Sequence, residues 1–322
     1  CNDTSVLRDR MGIILNLDNT KFDVYYATTS EGDKIKTNIA KTFYNRMKSK
    51  YIKLDPKSLN NSRNILEKYN FHIIVYPDLG MKIFQTYLAY SRIAPIQINT
   101  WGHSETSGID TIDYYISSNY YETDEGQEHY SENLIKMNSL STYYFEPSKL
   151  FLGDDYKFKT REEMGFRNTD IIYFCIQSFF KFNDEFEKMI GEIINYNPNS
   201  KILLSNNIKF SRSHLFRFYQ NIGLDNKDRV IIYPTLEKKV FLNLMKISDV
   251  SLDPYPFGGC NSTLEAFEFD IPVVSYPTEF INGRFTYGFY KKMDIDDCIV
   301  NSTDDYIKLA IKLGDDKEYN NS

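Results

Sequence analysis

Short runs of β-branched and aromatic residues alternate with helix-period segments along nearly all of the 322 residues, and this alternation restricts the fold more than any other feature. A chain that alternates strand and helix in this way closes most simply as a parallel sheet with crossover helices. In the first half, strands are expected near Phe22–Thr28, Tyr51–Leu54, His72–Tyr76, Ile96–Thr100 and Tyr114–Ser117, with helices such as Lys34–Lys48 and Ser58–Lys68 between them. From Ser139 to Asn168 the period fades into a polar, aromatic-spotted stretch. The alternation then restarts with strands at Ile171–Ile176, Lys201–Leu204, Val230–Tyr233, Val250–Leu252 and Val273–Tyr276. Helices are expected at Asp184–Ile194, Arg212–Ile222, Lys238–Ile247, Ser262–Phe269, near Gly283–Lys291 and from Thr303 onward.

The pattern predicts an α/β chain of two Rossmann-like domains facing a cleft: residues 1–138, a linker or insertion at 139–168, and a second domain at 169–322. No solenoid period is present. A composition of 42% hydrophobic and 25% charged residues excludes disorder as the main state. Thirty-eight basic against 44 acidic side chains give a net charge of −6, so no global basic field exists to attract nucleic acid or anionic lipid. The longest apolar runs, such as Asp170–Gln177, fall far short of the ~20 residues that span a bilayer, and no signal pattern opens the chain. A cytoplasmic or nucleocytoplasmic protein without nucleic-acid or membrane partners is expected. Cys1, Cys175, Cys260 and Cys298 are scattered without a CxxC pair, which reads as reduced thiols rather than a zinc site.

Three strand-to-helix loops carry chemistry. In Asp253–Phe267 a buried strand ends, Gly258 and Gly259 let the backbone approach a ligand, and Asn261, Ser262 or Thr263 can cap the next helix. Such a helix start suits a diphosphate, with Glu265 placed to accept from ribose hydroxyls; a well-capped helix without a ligand is the equal alternative. In Tyr173–Asp184, Lys181 follows a strand and precedes an Asn/Asp helix start, where its ammonium either meets a phosphate or is simply solvated. In Tyr233–Phe241, Lys238 and Phe241 open a helix, and Phe241 alone reads as core before it reads as a base-stacking ring.

Together, in order and spacing, these loops resemble the catalytic region of the protein O-GlcNAc transferase and SPINDLY family, whose fold is the two-domain GT-B type. Tyr76–Met81, Arg92–Gln97, Trp101–Gly108, Ile112–Ser118 and His129–Leu134 extend the resemblance from about Lys21 to Tyr306. The resemblance implies that Lys181 neutralises the leaving nucleoside diphosphate. It implies that Lys238 and the backbone near Leu236 contact the base and that Phe241 stacks on it. Cys260, Asn261, Ser262 and Thr263 fall on the family's phosphate cradle, with Cys260 in place of a histidine, and Glu265 falls on its ribose-binding aspartate. Gly102 and His103 lie in the loop beside the donor sugar. His72 matches a histidine that some members carry near the cleft, and as a lone strand histidine it reads equally as structural. His129 and His214 read as surface positions.

The family's first strand and its histidine loop are expected before Val6 and its C-terminal helices after Ser322, so the chain reads as an excerpt, a reduced enzyme or an inactive descendant. The implied activity is inverting, metal-independent transfer of N-acetylglucosamine from UDP-GlcNAc to Ser or Thr hydroxyls of proteins. Donors such as GDP-fucose or UDP-glucose, and a catalytically inactive nucleotide-sugar-binding module, are the alternatives. No cofactor beyond the nucleotide-sugar substrate is expected, and Asp294-Ile-Asp296 reads as a solvated loop rather than a metal motif.

Overall fold

The apolar runs at Ile171–Cys175, Ser200–Ser205 and Val250–Leu252 are buried on both faces, as strands of a parallel sheet are once crossover helices cover them. The computed structural model describes residues 5–29, 38–205 and 212–320, which fall into two units divided between Phe145 and Glu146.

The first unit runs α1 (Ser5–Asn16), β1 (Tyr26–Thr28), α2 (Asn38–Met47), β2 (Tyr51–Lys53), α3 (Leu59–Glu67), β3 (Ile73–Tyr76), α4 (Ile83–Ala89), β4 (Ile96–Thr100), β5 (Tyr114–Ser118) and β6 (Asn133–Met137). β1 and β2 form a parallel pair, and β3–β4–β5–β6 form a parallel sheet in sequence order. Among the described residues, β1 and β3 are each paired on one side only. Ser58 starts α3 by accepting from the Asn61 N–H at 3.2 Å, which lets Leu66 pack against Ile52, Leu54 and Leu88. The expected helix at 34–48 begins outside the described residues and is seen from Asn38. Elements α1, α4 and β6 were not expected; β6 alternates half-buried and exposed residues and so lacks the apolar run that marks the other strands.

The second unit opens with α5 (Pro147–Leu152). It continues with β7 (Ile171–Cys175), α6 (Asp184–Tyr196), β8 (Ser200–Ser205), α7 (Arg212–Ile222), β9 (Val230–Tyr233), α8 (Lys238–Lys246) and β10 (Val250–Leu252). It ends with α9 (Asn261–Phe267), β11 (Val273–Val274), α10 (Phe285–Met293), α11 (Thr303–Asp315) and α12 (Lys317–Asn320). Its five strands are all parallel, in the order β9–β8–β7–β10–β11. Ile172, Phe174, Ile202, Leu203 and Leu204 form the sheet's contribution to one continuous core. Asn183 caps α6 by accepting from Phe186 N–H at 2.8 Å, fixing where the loop after β7 ends. Beyond Asp294–Asp297 the chain meets the sheet at a single parallel bridge between Ser275 and Ile299.

The stretch 139–168 is shared between the units. Ser141 and Thr142 hold α1, accepting from the Arg10 guanidinium at 2.7 Å and donating to the Asp9 carbonyl at 2.8 Å. Phe158 meets Phe269 edge-on at 5.2 Å, and Arg161 pairs with Asp249 at 2.6 Å, both within the second unit. Ser141 and Thr142 thus bind this segment to the first unit, and Phe158 and Arg161 bind it to the second.

Candidate active site

From β7 the chain of the second unit steps outward to β8 and β9, then returns across to β10 and β11. The loops that leave β7 and β10 therefore part in opposite directions, and open α/β sheets hold their ligands at such a switch point. Two of the three loops singled out in the sequence, those after β7 and β10, start there; the third follows β9 at the edge of the sheet.

Lys181 lies in a single 3-10 turn, Phe179–Lys181, directly after β7. Its Nζ donates to the Gly258 carbonyl at 2.7 Å and to Gln177 Oε1 at 3.1 Å, and stands 4.5 Å from the centre of the Phe257 ring. Those bonds use two of the ammonium's three N–H donors. Burial pulls the Lys181 pKa below the ordinary lysine value, while the charge of Asp253, and less strongly Cys260 and Cys175, opposes the fall.

Asp253, at the carboxyl end of β10, is the anchor the sequence reading missed. Its carboxylate accepts from Gly259 N–H at 2.6 Å and from Ser275 Oγ at 2.9 Å, and its backbone oxygen accepts from the Tyr306 hydroxyl at 2.9 Å. Burial pushes its pKa up, and the bonds from Gly259, Thr286 and Ser275, with the Lys181 charge, pull back. An acid at the end of a buried strand, five residues before a Gly-Gly pair, was the available signal.

The two glycines stand close to protein side chains. A Cβ on Gly258 would stand 2.9 Å from the Asp253 carboxylate, and one on Gly259 would stand 2.7 Å from Ser262 Oγ. Protein side chains fill that space. Cys260 is the N-cap of α9 and supplies no side-chain cap, so Asn261, Ser262 and Thr263 form the first turn rather than cap it. Ser262 Oγ accepts from Gln177 Nε2, and Thr263 shares a 2.9 Å hydroxyl contact with Thr286. The side-chain oxygen of Asn261 is buried without a hydrogen-bond partner among the described residues. Gln177 thus joins the β7 loop to α9, a link not foreseen.

Lys238 and Glu265, which the resemblance assigns to base and ribose, meet each other: Lys238 Nζ donates to Glu265 Oε1. Glu265 is 2% exposed, so its charge has a partner inside the protein. Lys238 Nζ also stands 4.3 Å from the ring centre of Phe241, whose edge packs on Phe174 at 5.2 Å. Phe241 is thus packed against the core with its ring beside the Lys238 ammonium. Leu236 packs half-buried against the core.

His72, Gly102 and His103 belong to the first unit. His72 is exposed just before β3, its carbonyl accepting from Ile96 N–H at 3.2 Å. His103 follows β4 at the opposite, carboxyl end of the same sheet, with Nε2 3.5 Å from Glu105. Gly102 is held by its N–H to the Pro77 carbonyl at 2.9 Å, and a Cβ there would collide with that oxygen at 2.1 Å. His214 is exposed as expected, whereas His129 is half-buried beside Tyr130.

Two parallel-sheet α/β units, one with a lysine and a helix start at its switch point, define the GT-B class of sugar-nucleotide enzymes. The sequence pattern of glycosyl transferase family 41 matches residues 152–322, more than half of the chain, and the protein belongs to that family. It is 22% identical over 262 residues to the UDP-glucose:protein N-beta-glucosyltransferase of Actinobacillus pleuropneumoniae serotype 5b, covering 80% of this chain and 40% of that protein. It is 21% identical over 230 residues to the probable UDP-N-acetylglucosamine–peptide N-acetylglucosaminyltransferase SPINDLY of Solanum lycopersicum, covering 70% of this chain and 24% of the relative. The chain therefore spans less than half the length of these relatives. Among solved structures, a mutant of the Thermobaculum terrenum O-GlcNAc transferase superposes with a TM-score of 0.82 at 17% identity, covering 99% of this chain and 59% of the other. Staphylococcal MnaA with UDP superposes at 0.53 and 13% identity, covering 99% of this chain and 87% of that one. Among the described residues, no helix is long and apolar enough to cross a membrane.

Proposed function

We propose that this chain is the catalytic region of an inverting glycosyltransferase that moves a sugar from a UDP donor to protein side chains, with N-acetylglucosamine and Ser or Thr hydroxyls as the first reading. The observation that carries it is Lys181, an enclosed ammonium with one N–H to spare, beside a helix start that no side chain caps. As the acceptor oxygen attacks the anomeric carbon and the bond to the diphosphate breaks, negative charge collects on the leaving phosphate. A preorganised cation and unpaired helix N–H groups stabilise that charge without reorganising at the moment of transfer. The Lys238–Glu265 pair, with Phe241 beneath the lysine, offers the nucleoside a carboxylate for ribose and a ring edge for the base.

A second reading is glucose transfer to an Asn amide, favoured by the similarity to the UDP-glucose:protein N-beta-glucosyltransferase, which aligns with 80% of this chain. The test is incubation of the full-length protein with UDP-GlcNAc, UDP-glucose and GDP-fucose, with and without Ser/Thr or Asn peptides, monitoring nucleoside diphosphate release and peptide mass. Peptide-dependent release of UDP with a mass gain of one hexosamine supports the first reading, and a hexose on Asn supports the second. No binding and no release with any donor would leave the protein a member of the family without its chemistry.

A further inference from the structure

One peptide group, that between Gly258 and Gly259, is bonded on both sides by residues of opposite charge. Its carbonyl accepts from Lys181 Nζ at 2.7 Å, and its N–H donates to Asp253 Oδ1 at 2.6 Å. A cation at the oxygen of an amide and an anion at its hydrogen polarise the group in the same sense, so each bond strengthens the other. The preceding N–H, that of Gly258, donates to the Asn282 carbonyl at 3.0 Å, which restrains the turn on its other side. The direction in which the Gly258 carbonyl points is thereby fixed, and with it the place of the ammonium.

The hydrogen bonds of the turn do not by themselves require an acid at 253. An asparagine would accept from Gly259 N–H through Oδ1, and the hydroxyls of Ser275 and Thr286 accept as readily as they donate, so they would suit its amide. Such an amide would also avoid the cost of enclosing a charge, and Asp253 is only 5% exposed. What the carboxylate adds is negative charge behind Lys181. Burial pulls the Lys181 pKa down, and among the groups that oppose it Asp253 acts more strongly than Cys260 or Cys175. Burial pushes the Cys175 thiol well up, which keeps it uncharged. The acid at 253 is therefore accounted for by the cation it faces and not by the turn it closes.

We infer that Asp253 is the positioning residue of Lys181: through the Gly258–Gly259 peptide it turns the Gly258 carbonyl toward the ammonium and holds that ammonium at the switch point. What the ammonium then meets rests on the nucleotide-sugar reading above; its coupling to Asp253 does not. The full-length protein labelled with ¹³C at the lysine Cε atoms gives a Lys181 signal, identified by its loss in Lys181→Arg, whose pH dependence follows the ammonium without any ligand. Asp253→Asn keeps the hydrogen bonds and removes the charge. The midpoint of the Lys181 titration is expected to fall by about one pH unit in that variant, and by about as much when both proteins also carry Cys260→Ser. In calorimetry with UDP the alkaline loss of affinity should begin about one pH unit earlier, and the difference should vanish when Lys181→Arg is present in both proteins. A merely structural Asp253 would lower stability and UDP affinity alike at every pH and leave the midpoint in place; that result overturns the inference. If Asp253→Asn does not fold, Lys181→Met, a change at a partly exposed loop residue, tests the same peptide from its other side. The Gly259 amide proton should then move upfield as its peptide carbonyl loses the ammonium, and an unmoved signal overturns the coupling. A shifted midpoint in a protein that binds neither UDP nor GDP upholds the coupling and removes the nucleotide-sugar reading instead.

Discussion

A lysine ammonium enclosed by protein is costly unless nearby charge compensates, and Lys181 meets that condition through Asp253. Replacing it by alanine removes a cation from the switch point. Transfer is expected to fall about 10²–10³-fold in Lys181→Ala, the usual scale for a preorganised charge-stabilising group. Stability should change little, because the Asp253 carboxyl, already pushed up by burial, can take a proton when the ammonium is gone. Near-normal turnover would remove Lys181 from the mechanism. The lowered pKa also sets a pH dependence. The ammonium is charged below its pKa and neutral above it, so nucleoside diphosphate affinity should weaken as pH rises, beginning below the ordinary lysine value of 10.5. A titration calorimetry series from neutral to alkaline pH checks this; Lys181→Arg, charged throughout, should flatten the profile. A flat profile in the unaltered protein would contradict the assignment.

At the scale of elements, the second unit is held in register by buried polar pairs as well as by its apolar core. Glu187, fully buried on α6, accepts from the Arg217 guanidinium of α7 at 2.6 Å and 3.2 Å and from Asn221 at 2.7 Å. Gly191, one turn on, lets the end of α7 come close: a Cβ there would stand 2.9 Å from the Ile222 Cα. Arg217→Met removes the cation and leaves Glu187 with Asn221 as its remaining side-chain donor. A loss of about 2 kcal/mol in urea unfolding is expected, less than for a fully buried pair because Arg217 is partly exposed. Nucleoside diphosphate affinity should be unchanged, since α7 follows β8 and not a switch-point strand. A stability equal to that of the unaltered protein would show that the pair contributes nothing net.

At the scale of the whole molecule, the question is whether positive charge at the diphosphate comes from protein groups or from a cation. Among the described residues, no three His, Cys, Asp or Glu side chains converge as metal ligands. Asp294 takes the left-handed backbone at the end of α10, and Asp296 pairs with Lys291 at 2.5 Å, so the Asp-x-Asp segment is engaged locally. In the proposed mechanism Lys181 and the helix start supply that charge. Donor binding, and transfer by the full-length protein, are therefore expected to survive excess EDTA, and Asp294→Asn with Asp296→Asn should alter neither. Loss of binding on chelation, restored by Mn²⁺, would overturn the metal-independent mechanism.

The sequence by itself determined the parallel α/β class, nearly all strands of the second unit and the loops that follow β7, β9 and β10. Periodicity, buried apolar runs and loop residues are properties of neighbouring positions, and they can be read along the chain. It also placed Lys181 and the Gly258–Thr263 turn on those loops. Only the tertiary structure decided what these residues touch. Lys181 meets Gly258 across 77 positions, Gln177 meets Ser262 across 85, and Lys238 meets Glu265 across 27. The close approach of the Asp253 carboxylate to Gly258 likewise shows only in the folded chain. Such pairings depend on the order in which strands are laid side by side, and a sheet order that steps outward from β7 and then returns leaves no mark in local spacing.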